Sequence, residues 1–148
     1  MGDEFYLSLA IDKAWDCQLL TYPNPAVGAV ILDENGQILS IANHQMSGFP
    51  HAELNATKEA LEAKDSSLKK LFATAKNANE LYNLIIKNHQ NLLKNSTYYV
   101  TLEPCAHQGK TPPCANLILA MGAKRLVIGS RDYGKHARGG AELLAQNG

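Results

Sequence analysis

Glu103-Pro104-Cys105-Ala106-His107-Gln108-Gly109-Lys110-Thr111-Pro112-Pro113-Cys114 sets two thiols in a short polar loop, and His51-Ala52-Glu53 adds an imidazole and a carboxylate upstream. Structural zinc is usually closed by four protein ligands, whereas catalytic zinc keeps one position for water. His51, Cys105 and Cys114 offer three good ligands, and Glu53 stands close enough to serve that water without binding the metal. Zinc in such a site polarises water until hydroxide is within reach near neutral pH. Glu53 would take the water's proton and give it back later, acting as base and acid in turn. Directed at an amidine-like carbon bearing an exocyclic amine, this chemistry releases ammonia and leaves a carbonyl.

Other readings of the same residues stay open. With His107 as a fourth ligand the two cysteines and His51 would close a structural zinc knot, although Glu53 would then have no task. Cys105 and Cys114 could form a redox pair or a disulfide. A cysteine nucleophile lacks an evident base. The third cysteine, Cys17, lies in an apolar helical stripe and reads as a small buried hydrophobe.

These groups need elements to hold them. Tyr6, Leu9, Ala10, Lys13, Ala14 and Cys17 recur at helical spacing, with Asp3 as a cap. Tyr22-Pro23-Asn24-Pro25 stops that helix, because each proline lacks a donor and restricts the residue before it. Asn24 reads equally as an amide presented by a rigid turn or as a turn residue alone. Ala26 to Asp33 predicts a strand buried on both faces, Glu34-Asn35-Gly36 a turn, and Gln37 to Asn43 the returning strand. After a loop from His44 to Pro50, a helix is expected from His51 to about Lys64, with Glu53 in its favourable first turn.

Residues 65–95 carry Leu68, Leu71, Phe72, Ala75, Leu81, Ile85, His89, Leu92 and Leu93 at helical spacing, which predicts one or two amphipathic helices. His89 belongs to that packing or to the surface. Thr97 to Leu102 predicts a strand that delivers Glu103-Pro104-Cys105 at its C-terminal end, where ligand sites of α/β sheets gather. Pro112-Pro113-Cys114 opens a helix to about Met121, and a helix start lowers a thiol's pKa. Gly122 ends it, Lys124 to Ser130 predicts a further strand, and Gly139-Gly140 leads a short last helix. The expected architecture is α/β, a three-layer α/β/α sandwich on a mixed sheet, in a single domain over residues 1–148.

Length and charge narrow the classes. A chain of 148 residues suits one core. Its 14 basic and 14 acidic side chains cancel, which argues against nucleic acid or an anionic membrane as partner. No apolar run approaches the length of a bilayer span. Met1-Gly2-Asp3-Glu4 is acidic, unlike a secretory signal, and Tyr6 stands where myristoylation wants Ser or Thr. Three cysteines fit a reducing, cytoplasmic setting better than a disulfide framework.

His-x-Glu followed by a Pro-Cys pair is the pattern of zinc-dependent nucleobase deaminases, which space their cysteines two residues apart. Here eight residues intervene. Together with Pro23-Asn24-Pro25-Ala26-Val27-Gly28-Ala29-Val30 and Thr101-Leu102-Glu103-Pro104-Cys105, that long gap resembles the deaminase domain of the riboflavin-biosynthesis protein RibD. The resemblance implies a cytidine deaminase-like fold, Zn2+ on His51, Cys105 and Cys114, and Glu53 as proton shuttle. It implies substrate contacts from Asn24, His44, His107 and Lys110. The implied reaction is hydrolysis of the 2-amino group of 2,5-diamino-6-(5-phosphoribosylamino)pyrimidin-4(3H)-one. The implied partner is therefore a small phosphorylated pyrimidine, and since related deaminases often associate, a homo-oligomer is an open expectation. A deaminase of the same fold acting on another base, or a zinc-stabilised module without catalysis, are the alternatives.

The chain departs from the family pattern in three places. The NADPH-dependent reductase domain of bifunctional members does not follow, and the sequence stops near where a last strand of the deaminase sheet is expected. Tyr133-Gly134-Lys135 stands where Pro-Asn-Pro is usual after Arg131-Asp132, with Lys135 and Arg138 available near a phosphate. The helical insert at 65–95 is also longer than usual.

Overall fold

Gly28–Leu32 forms β1, a strand buried along its whole length, as its unbroken apolar run requires. The computed structural model describes residues 2–109, 112–132 and 139–146. Gly36, at φ +84°, turns the chain into β2 (Ile38–Asn43), antiparallel to β1. The Asp33 carboxylate fixes that turn by accepting from the amides of Asn35 and Gln37 at 2.8 and 2.9 Å. On its other edge β1 pairs antiparallel with β3 (Thr97–Val100), which in turn pairs parallel with β4 (Arg125–Ile128). The order β2-β1-β3-β4 makes the mixed sheet that was expected.

Both faces of β1 are covered because its side chains alternate between two helical layers. Val30 and Leu32 pack with Tyr99 against Ala10 of α1 (Asp3–Trp15). Ala29 and Ile31 face the larger layer, where α2 (Ala52–Lys64) contributes Leu61 and α5 (Cys114–Met121) contributes Leu117 and Ile118. The insert folds as two helices on this side, α3 (Leu68–Phe72) and α4 (Ala78–Asn88), burying Phe72, Leu81 and Ile85. The side chain of Asn77 caps α4 by accepting from Glu80 N at 2.9 Å. A last helix, α6 (Gly140–Gln146), lies beside α5. No helix among the described residues is long and apolar enough to cross a membrane.

The expected cap on α1 is corrected. Gly2 holds the cap position and Asp3 is the first helical residue. The Asp3 carboxylate instead accepts from the Tyr99 hydroxyl at 2.8 Å and pairs with both guanidinium nitrogens of Arg125 at 2.7 and 2.6 Å. A guanidinium and a phenol delivered by β4 and β3 outcompete a local cap, and they hold the Asp3 pKa down to about 2. α1 also ends before Cys17, which is nonetheless buried and donates its Sγ–H to Ala14 O. His89 sits at the C-terminal cap of α4, where its Nδ1 accepts from Asn91 N.

Candidate active site

Three separate elements bring the ligand atoms together. His51 is the residue before α2, in extended conformation, so its ring hangs off the helix start instead of packing along it. Cys105 follows the exit from β3, and Cys114 is the first residue of α5. Their ligand atoms all lie within 4.8 Å of one another. His51 Nδ1 is 3.6 Å from Cys114 Sγ and 3.9 Å from Cys105 Sγ. Zinc bonds of about 2.3 Å to sulfur and about 2.05 Å to nitrogen, set at tetrahedral angles, put nitrogen and sulfur about 3.6 Å apart. The triad is thus already close to the spacing that zinc needs.

The electrostatics of the donor set point the same way. The Cys114 amide donates to Cys105 Sγ at 3.3 Å, and Ala115 N donates to Cys105 O at 3.0 Å. The first turn of α5 therefore folds around the other cysteine. Hydrogen bonding from Cys114, then from His51, pulls the Cys105 thiol far below its ordinary pKa, while the same contact and burial push Cys114 up. Cys114 is buried and Cys105 half-buried, and a cation bound by both sulfurs would displace their thiol protons. The His51 imidazole is raised chiefly by its contact with Cys105, against the effect of burial.

Glu53 sits two residues further on, 4% exposed, in the first turn of α2. Burial pushes its carboxyl pKa up, and the charge of His51 works against that. Thr57 Oγ1 donates to Glu53 O at 2.7 Å and meets the Tyr98 hydroxyl at 2.8 Å, both fully buried. This column fixes the backbone under the carboxylate. His44 is also buried, its ring centroid 5.0 Å from that of His51. Burial, then the neighbouring His51, lowers its pKa. Its Nε2 is buried without a hydrogen-bond partner among the described residues, an atom that invites a ligand group.

A cleft of ≈ 490 Å³ opens over these groups. Asn24, His44, His51, Glu53, Cys105 and His107, each marked by the sequence, line it. Asn24 is held in its turn by reciprocal bonds with Thr21, and it also faces the cleft. Cys114 is buried and joins the group through its Sγ. Lys110 lies outside the described residues, as do Lys135 and Arg138. Sequence reasoning missed Ser47, Gly48 and Phe49 at one wall and Glu103 and Asp132 at another. Glu103 stood within the cysteine motif but carried no metal-ligand logic, and the Ser47–Phe49 turn has no chemical signature.

Zinc-dependent deaminases are the enzyme class built on one imidazole, two thiolates and a neighbouring glutamate, and comparison with known proteins agrees. A family model described as the cytidine and deoxycytidylate deaminase zinc-binding region matches residues 1–130, and the chain belongs to that family of zinc deaminases. Its relatives include the riboflavin biosynthesis protein RibD of Escherichia coli, 34% identical over all of this chain and 32% of that protein. A diaminohydroxyphosphoribosylamino-pyrimidine deaminase of Buchnera aphidicola subsp. Schizaphis graminum is 36% identical over 89% of this chain and 69% of its own length. Among solved structures, Acinetobacter baumannii RibD superimposes with a TM-score of 0.74 at 29% identity, covering 98% of this chain and 33% of that one. The chain therefore spans about a third of the length of the RibD relatives that it matches.

Proposed function

We propose that the chain hydrolyses the 2-amino group of 2,5-diamino-6-(5-phosphoribosylamino)pyrimidin-4(3H)-one, giving the 5-amino-uracil ribotide and ammonia for riboflavin biosynthesis. The observation that carries this reading is the buried Glu53 beside the His51–Cys105–Cys114 triad under an open cleft. The cleft's volume lies within the range of small-molecule sites. The name of the Buchnera relative supports the choice of substrate.

His51 Nδ1 and the Sγ atoms of Cys105 and Cys114 would hold the zinc. Zinc supplies the Lewis acidity that makes water nucleophilic at neutral pH. A Glu53 carboxylate oxygen would take a proton from a water in the cleft as the oxygen of that water adds to C2 of the pyrimidine. Glu53 passes the proton to the adjacent ring nitrogen. It then takes the hydroxyl proton of the adduct and gives it to the departing amine, so one carboxylate ends as it began. Burial suits Glu53 to this, because a raised pKa makes it a better base than an exposed carboxylate. His44 Nε2 and the Asn24 amide would read polar edges of the substrate, while His107 and Lys110 would offer donors to ribose and phosphate. A cytoplasmic setting goes with this reading, since a reducing compartment keeps thiols available as metal ligands.

The test is ammonia release from the diaminopyrimidine ribotide by purified protein, with zinc measured on the same sample. Release that a chelator abolishes and zinc restores is the expected result. About one zinc per chain with no ammonia would refute this substrate and favour another base or a non-catalytic module.

A further inference from the structure

Glu103 is 4% exposed and lines the cleft, yet it belongs to no ligand set. Its Oε2 accepts from Asp132 N at 3.3 Å and its Oε1 accepts from Ala141 N at 3.2 Å. Its own amide donates to Ser130 O at 2.9 Å, so the carboxylate is aimed by the end of β4. Those two bonds hold the residue at the exit from β4 and the second residue of α6. Asp132 is itself on the cleft wall.

The α6 end is just as tightly constrained. A Cβ at Gly140 would stand 1.8 Å from Pro104 O, so the start of α6 lies directly on the residue between Glu103 and the ligand Cys105. A buried carboxylate is costly unless its oxygens are satisfied. Here they are satisfied by two main-chain amides far apart in sequence, one of them at the substrate side.

We propose that Glu103 is a positioning residue: by holding the Asp132 and Ala141 amides it sets Asp132, on the cleft wall, relative to the cysteine loop that begins at Pro104. The proposal rests on the reading of this cleft as the substrate site. The effect of Glu103 runs through Asp132, on substrate affinity more than on the chemical step.

Glu103→Gln replaces one acceptor oxygen by an NH2 donor that faces another donor, and Glu103→Asp keeps the charge on a shorter arm. Hydrogen exchange on the zinc-loaded full chain, resolved to single amides, reads the clamp without any substrate. In Glu103→Gln the Asp132 and Ala141 amides should exchange at least about tenfold faster, with Val100 and Ala29 unchanged, since a charge-assisted bond is lost. Zinc should remain at wild-type content. With the ribotide, KM should rise about tenfold while kcat stays within about threefold, and Glu103→Asp should recover part of the loss.

Unchanged exchange at both amides overturns the clamp. Faster exchange with an unaltered KM overturns its link to the substrate wall. Loss of zinc with protection lost throughout the sheet overturns a positioning role in favour of a structural one. If the wild type does not turn over the ribotide, the substrate reading fails, and exchange still decides the clamp.

Discussion

Replacing Gly28 by alanine would drive a methyl group into α1. A Cβ there would lie 1.8 Å from Ala10 O, 2.8 Å from Ala10 C and 3.2 Å from Ala14 N, wedged into the helix's own hydrogen bond. Contacts under 3.0 Å do not occur at real Cβ atoms, so helix and strand must separate by about 1.2 Å. The strand is the fixed partner. Gly28 N donates to Thr101 Oγ1 at 3.1 Å, Gly28 O accepts from Thr101 N at 3.1 Å, and Gly28 pairs with Asn43 across the sheet. α1 must therefore retreat, loosening Tyr6, Leu7 and Ala10 from Val30, Leu32 and Tyr99. A gap of about 0.5–1 Å forfeits a quarter to a half of each dispersion contact.

Overpacking of this kind costs about 1–3 kcal/mol, and the stiffer unfolded chain of alanine returns about 0.4–1 kcal/mol. A net loss of about 1.3 kcal/mol corresponds to a Tm lower by about 3–5 °C in a chain of this length. Thermal unfolding of the zinc-loaded protein measures it, with urea unfolding as a second probe. Because α1 leads into the Pro23-Asn24-Pro25 lip of the cleft, KM should rise as well. A Gly28→Ala protein with Tm within about a degree of wild type and unchanged KM would refute the close-packing argument.

Three further outcomes are expected. Glu53→Gln should keep its zinc and lose about 10²–10⁴-fold in kcat, and retention of most activity would remove Glu53 from the proton path. Cys114→Ala should drop zinc content well below one per chain by elemental analysis and lower Tm, because metal binding is coupled to folding. Asp3→Asn should lower Tm in a pH-dependent way. A carboxylate held at about 2 in the folded chain, against 3.8 when free, stabilises the fold above the free value, and that contribution fades as pH falls toward 2. The Tm difference from wild type should be full near neutral pH and vanish in strong acid, and a difference independent of pH would count against the ion pair.

Local patterns carried much of the fold. Val-Gly-Ala-Val-Ile-Leu could only be a strand covered on both sides, and β1 is. Asn35-Gly36 turned where its φ preference demanded. The grouping of His51, Cys105 and Cys114 was readable because zinc chemistry restricts residue types severely, so three residues far apart in sequence still announce each other. What escaped were contacts whose partners have no such restriction. Asp3 looks like a cap in any window of sequence, and the arrival of Arg125 at the start of β4 and of Tyr99 on β3 redirects it. Glu103 was visible as part of a motif, but its grip on Asp132 and Ala141 depends on main-chain amides, which every residue possesses. Phe49 and Ser47 line the cleft through the shape of a turn, not through chemistry.

The triad also bears on the order of events during folding. Cys105 and Cys114 are nine positions apart, but His51 is 54 from one and 63 from the other. Contacts that span so much chain form late, after loop closure has brought distant segments together. The sheet must seat β1 against β3, and α2 must dock, before the imidazole can meet either sulfur. A metal captured at that stage arrives after the rate-limiting barrier and contributes little to crossing it. Interactions absent from the transition state act on the reverse reaction instead. Zinc should leave the refolding rate nearly unchanged and slow unfolding, so that it serves this chain as a latch on a finished topology.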